Sequence, residues 1–96
     1  MDWESPVPGF RVVEFDHTEP AKNAYRYYMI LWQPTLLDEW AVVRIFGRHG
    51  QPKRTIATPF PSLEAAWPFI RALVKARLRH GYHVTYMEID STSRLI

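Results

Sequence analysis

Between residues 10 and 58 the β-prone runs set apolar against polar positions with a period of two, and from residue 62 the period lengthens to that of a helix. Residues 10–15 set Phe10, Val12, Val13 and Phe15 among charged neighbours, a β-rich run too short for a helix, and predict a strand. Thr18, Pro20 and Asn23 make residues 16–23 a loop. Residues 24–32 predict a long strand with Tyr25, Tyr27, Met29 and Leu31 on one face and Arg26, Tyr28, Ile30 and Trp32 on the other. Apolar residues on both faces place it centrally in a sheet, or between a helix and a loop. Trp40, Val42, Arg44 and Phe46 alternate against Ala41, Val43 and Ile45, and the short connection 33–39 predicts antiparallel pairing with the preceding strand. Two glycines and a proline make residues 47–52 a turn, after which a short basic strand, 53–58, returns alongside.

From residue 62 the pattern changes. Ser62 suits a helix N-cap, Glu64 faces the positive end of the dipole, and Leu63, Ala66, Trp67, Ile70, Leu73, Val74 and Leu78 form one apolar stripe to about His80. Gly81 fits the position just beyond, and Pro68 inside predicts a bend or a loosened first turn. Residues 82–89 are β-prone and predict a last strand, and 90–96 read as a frayed tail. The fold class expected is α+β: a small antiparallel β-sheet of four to five strands with one long helix packed across it. Residues 1–9 are a Pro-rich, polar lead-in, 10–83 the domain proper, and 84–96 an extra strand and C-terminal tail.

At 96 residues the chain makes one domain, large enough for a core without metal or disulfide. Its hydrophobic share of 47% excludes a disordered chain, and the absence of cysteine excludes a disulfide scaffold. The acidic start Met1-Asp2-Trp3-Glu4 is unlike a signal peptide, and no run approaches the ~20 apolar residues that span a bilayer, so the expected setting is cytoplasmic, without membrane contact. Charge is divided unevenly. Residues 1–39 hold three cations against seven carboxylates, a balance of −4, and residues 40–83 hold eight cations against Glu64 alone, a balance of +7. If folding gathers the second set on one side, the surface attracts phosphates.

The basic half contains the most distinctive stretch, Trp40-Ala41-Val42-Val43-Arg44-Ile45-Phe46-Gly47-Arg48-His49-Gly50. It resembles the signature of the WGR domain, a Trp-Gly-Arg triplet with an aromatic residue six positions earlier and an apolar residue and Gly after it. Trp40, Gly47, Arg48 and Gly50 match; Phe46 replaces the name-giving Trp and His49 the apolar residue. The similarity extends from about Phe10 to Tyr82, through an aromatic strand, Phe60-Pro61-Ser62 and a long basic helix ending near Gly81-Tyr82. The resemblance implies a non-catalytic domain. In poly(ADP-ribose) polymerases it contacts DNA near a strand break and relays that contact to neighbouring domains; bacterial members often stand alone. Phe46 takes the place where the family's Trp packs against the sugar at a DNA end, and Arg48 that of the family's polar contact. Phenylalanine keeps a flat apolar face but loses the indole N–H.

The nucleic-acid-binding residues expected are Trp40, Arg44, Phe46, Gly47, Arg48, Lys53, Arg54, Arg71, Lys75 and Arg79. Arg71, Lys75 and Arg79 recur every fourth residue and share a helix face, either a solvated polar face or, with no acidic neighbour after Glu64, a phosphate-binding one. Phe46 is read as a nucleic-acid platform or as a sheet-face aromatic, Gly47 and Gly50 as turn residues, and Lys53 with Arg54 as phosphate contacts or as protection of a sheet edge. His17, His49, His80 and His83 match no zinc spacing, and Glu14 with Asp16 reads as a pair of carboxylates that keep the surface soluble rather than a Mg²⁺ or acid–base pair. No catalytic ordering is visible, so neither enzyme activity, metal nor cofactor is expected. The expected function is a nucleic-acid-binding module, for DNA rather than RNA; the rival is an interaction module docking an acidic protein partner. Oligomeric state is open.

Overall fold

The computed structural model describes residues 1–90. Strand β1 (Phe10–Glu19) leads through a 3-10 turn (Pro20–Lys22) into β2 (Ala24–Pro34), β3 (Trp40–Arg48) and β4 (Arg54–Pro59), followed by helix α1 (Leu63–Arg79) and β5 (His83–Ile89). The strands form one antiparallel sheet in the order β4-β3-β2-β1-β5, with β2 at its centre. The expected α+β fold is thus present with five strands. The expected tail, 90–96, lies outside the described residues from 91 onward.

Strand register decides which residues meet the helix. Val13 pairs with Ile30, Phe15 with Tyr28, Trp32 with Val42 and Tyr28 with Phe46, so these side chains share one face. All but Phe46 are buried, and α1 covers them with Ala66, Trp67, Ile70 and Val74 at helical spacing. Fully burying each large apolar side chain contributes about 1.5–3 kcal/mol. The opposite face carries half-buried Tyr27, Met29, Leu31 and Ile45 with Val12 and Val43 buried among them.

Several boundaries differ from the sequence reading. β1 runs on through residues 16–19, expected as loop, because Asp16, His17, Thr18 and Glu19 pair with Tyr27, Arg26, Tyr25 and Ala24, leaving only the 3-10 turn and Asn23 between the strands, and β2 continues past Trp32 to Pro34. β3 continues through Gly47 and Arg48, because Tyr27 pairs with Gly47, Arg26 with Arg48, and the His49 N–H still donates to the Tyr25 carbonyl at 2.8 Å. The turn begins later and rests on Gly50, whose φ of +84° an L side chain rarely adopts; Gly47 has no positive φ, and an added Cβ there meets only ordinary contacts from 3.5 Å. The lead-in is also more than a lead-in. Trp3 is 5% exposed, stacks on Trp67 at 5.8 Å, meets Phe10 edge-on at 6.0 Å, and accepts a hydrogen bond on its carbonyl from the Trp67 indole at 2.9 Å.

Helix α1 starts where expected, with the Ser62 hydroxyl accepting from the Ala65 N–H at 3.0 Å. It runs unbroken through Pro68, whose missing N–H deprives the Glu64 carbonyl of its helical partner; both residues are exposed, so solvent serves the carbonyl. At the far end the Tyr82 N–H donates to the Arg77 carbonyl (3.0 Å) and the Gly81 N–H to the Leu78 carbonyl (3.2 Å), a complete Schellman cap around Gly81 at φ +87°. A Cβ on Gly81 would also stand 2.9 Å from His17 Cε1. Gly81→Ala is therefore expected to destabilise the fold by about 1–2 kcal/mol from the left-handed backbone alone, measurable in urea unfolding. A midpoint unchanged within error would mean that the cap is not holding the helix end.

Candidate functional site

The ends of β2 and β3 opposite their connecting hairpin lie beneath the C-terminal turn of α1, and an aromatic cluster forms there. Phe46 stacks on its cross-strand partner Tyr28 with ring centroids 5.1 Å apart and planes 17° from parallel. Tyr82, just past the helix cap, meets Tyr28 edge-on at 6.5 Å. Arg77 occupies the helix stripe's next inward position after Ile70 and Val74, where an apolar residue would ordinarily sit. Its guanidinium carbon lies 4.5 Å from the Tyr28 ring centroid and 5.1 Å from that of Tyr82. The π faces offset part of the desolvation, while Arg77 Nε is buried without a hydrogen-bond partner. Exposed Arg54, paired with Phe46 across β3 and β4, lies over the Phe46 ring at 5.6 Å.

Tyr28, Phe46, Arg77 and Tyr82 line a hollow of about 500 Å³ together with Arg26, Tyr27, Gly47 and Arg48. No carboxylate is among its lining residues, so three guanidinium groups share one concavity and Arg54 stands beside it. Arg48 also donates through Nη2 to the Asn23 carbonyl at 2.6 Å, tying the end of β3 to the left-handed residue that closes the 3-10 turn. A second hollow, about 390 Å³, shares Arg26, Arg77 and Tyr82 with the first and adds His17, Glu19, Lys22 and His80. The hydrogen bond from His17, reinforced by the charge of Lys22, holds the Glu19 carboxyl below the ordinary carboxylate range. Flat apolar rings beside guanidinium donors suit a planar or sugar ring carrying an anionic group.

Of the residues expected from sequence, Phe46, Gly47, Arg48 and Arg54 come together here. Lys53 is exposed in the turn leading to β4. Arg44 points beneath the helix, its guanidinium 5.5 Å over Phe69 and its Nε buried without a partner. Trp40 stands at the other end of β3, tilted against Trp32 at 5.5 Å and lining a separate hollow with Asp38 and Glu39. Arg71 and Lys75 meet the lead-in: Lys75 Nζ lies 2.6 Å and Arg71 3.9 Å from the Glu4 carboxylate. Arg79 is exposed on the last turn of α1. Sequence reasoning left out Arg26, Tyr28, Arg77 and Tyr82. A usable signal existed for Arg77, a cation in register with the apolar stripe.

The hydrogen bond and charge of Lys75 hold the Glu4 carboxyl below its usual range, with Arg71 adding to the effect. A depressed folded value means stabilisation that is present above the ordinary glutamate pKa of about 4.3 and is lost as pH falls through the lower, folded value. The difference in melting temperature between wild type and Lys75→Met is thus expected to be largest near neutrality and to vanish in acid. A difference that persists unchanged at pH 2 would contradict this attachment of the lead-in.

Among known families, the WGR domain model matches residues 12–88. No curated protein and no solved structure matches the chain.

Proposed function

The chain belongs to the WGR domain family, a family of nucleic-acid-binding modules not themselves catalytic, and on that footing we propose that it binds DNA without catalysing a reaction, through the hollow around Phe46. The observation that carries this reading is the stacked Phe46–Tyr28 pair set among Arg26, Arg48 and Arg77 with no carboxylate lining the concavity. Phe46 stands where the resemblance puts the ring that packs on the sugar at a DNA end. An arriving ring displaces the exposed Arg54 from over Phe46 and leaves its charge to face phosphate. Such contacts give affinity with little base specificity and a strong dependence on salt. Cytoplasmic location is part of this reading; among the described residues no helix is long and apolar enough to cross a membrane.

Titration of labelled duplex with a free 5′ end, a sealed hairpin and the matching single strands across a salt series tests it. Binding is expected to favour free ends, with log K falling by roughly 0.9 per contacted duplex phosphate for each tenfold rise in salt. Arg48→Ala should flatten that slope by about one contact. Absence of binding to all three at low salt would falsify the reading.

A second reading, a protein-docking module, draws on the β2–β3 tip. Leu36 and Leu37 are 105% and 80% exposed there, on a hairpin closed by the Thr35 N–H donating to the Glu39 carbonyl at 2.7 Å. Asp38 and Glu39 beside them suit a partner with a basic rim, the opposite sign from the acidic partner that the basic half of the sequence suggested.

A further inference from the structure

The concavity does not end at Arg77. The outer hollow shares Arg26, Arg77 and Tyr82 with the one holding Phe46, so the two adjoin at one guanidinium as a two-part trough. Two polar atoms in the outer walls, His17 Nδ1 and Arg77 Nε, are buried without hydrogen-bond partners. Lys22 and His80 add cationic or donor groups, while the single carboxylate, Glu19, is already engaged by His17 at 2.7 Å and Lys22 at 3.5 Å. We propose that this outer hollow is a phosphate subsite for the phosphodiester next to the nucleotide seated on Phe46, which makes the trough's ligand an unpaired strand end of two or more nucleotides. The inference rests on the nucleic-acid reading above and specifies its ligand.

The geometry favours an unpaired strand for two reasons. A nucleotide that settles on Phe46 beneath the helix end has to leave its own helical stack, and a backbone passing from one hollow to the next has to bend around Arg77. A duplex carries its phosphates on a stiff convex ridge, so it would have to fray to do either. A single strand does both without breaking base pairs, and aromatic platforms beside cationic grooves are how single strands are commonly held. Arg77 lies against the Tyr28 and Tyr82 rings and lines both hollows, so one guanidinium serves the two of them.

Fluorescence anisotropy on the whole chain tests this with two labelled duplexes, one blunt and one carrying a two-nucleotide extension, the latter made in both polarities. In the wild type one extended duplex is expected to bind about tenfold tighter, with a salt slope steeper by roughly 0.7 for the added single-strand phosphate. Lys22→Ala with His80→Ala, both exposed positions whose replacement should shift the thermal melt only slightly through loss of the surface Lys22–Glu19 pair, removes that advantage and that slope increment and leaves blunt binding as it was. Equal binding of blunt and extended duplexes by the wild type overturns the subsite but spares the broader reading. So does a double variant that weakens both duplexes equally. If neither duplex binds, the nucleic-acid reading falls and the subsite with it.

Discussion

Replacing Trp67 with alanine is expected to destabilise the fold by about 3–5 kcal/mol, the largest effect of any single substitution considered. Trp67 is 2% exposed and joins the lead-in and the start of β1 to the helix. It stacks on Trp3 at 5.8 Å, meets Phe10 edge-on at 5.6 Å, and its indole N–H is the donor to the Trp3 carbonyl. Truncation leaves a cavity between helix and sheet, strips one wall from Trp3, and orphans that carbonyl. Against the 5–15 kcal/mol that stabilises an ordinary domain, the loss consumes a large fraction. For a domain of this size it corresponds to a drop in melting temperature of roughly 12–40 °C. Trp67→Phe keeps a ring and loses mainly volume and the hydrogen bond, so it should fall between. Trp3→Ala should cost less than Trp67→Ala, because it frees the lead-in while helix and sheet stay in contact. Circular dichroism melts of the three variants check the order; a Trp67→Ala melt within a few degrees of wild type would mean that the lead-in and helix are not packed as described.

Phe46→Ala should act on binding. Stacking of a base on an aromatic ring contributes about 1–3 kcal/mol, so affinity for a DNA end is expected to fall roughly 5- to 150-fold. Phe46 is only half-buried, at the margin of the core, so the fold should tolerate the change better than it tolerates loss of Trp67. The salt slope should hardly move, since no phosphate contact is removed, which separates this variant from Arg48→Ala. Lys75→Ala is the matching control. Its ammonium is committed to Glu4 at 2.6 Å, so binding should change little despite the loss of a charge. If Lys75→Ala weakens binding as much as Phe46→Ala, the contact surface lies along the helix flank instead.

The strands and the helix were legible because each announces itself locally. Alternation through Val12, Val13, Ile30 and Val42 and the stripe through Trp67, Ile70 and Val74 are short-range patterns, and the sheet pairing of β2 with β3 and β3 with β4 follows from short connections. The site was half legible. Phe46, Gly47, Arg48 and Arg54 sit close in sequence on one hairpin, but Tyr28 joins them across β2 and β3, and Arg77 and Tyr82 arrive from the other end of the chain. Charge on the helix was only partly legible for the same reason. Arg71 and Lys75 lack an acidic neighbour on α1, and their partner, Glu4, lies in a segment that reads as a polar lead-in. Trp3 gave no periodic signal, being a single apolar residue among Asp2, Glu4 and Ser5; only contact with Trp67 reveals its place in the core. Gly47 reads as a turn residue from its spacing to Gly50, yet the ladder to Tyr25 and Tyr27 extends past it.

Nucleic acid is proposed to meet this domain at the hollow between the ends of β2 and β3 and the C-terminal turn of α1. Amide and side-chain chemical-shift mapping on the isotope-labelled chain, with a short DNA duplex carrying a free end added stepwise at low salt, tests it most directly. The shifts are expected to concentrate at Arg26, Tyr28, Phe46, Gly47, Arg48, Arg77 and Tyr82, and to leave Trp40, Arg71 and Lys75 nearly unmoved. Shifts centred on the Arg71–Lys75 flank, on the sheet face around Met29 and Ile45 opposite α1, or at the Leu36–Leu37 tip would contradict it.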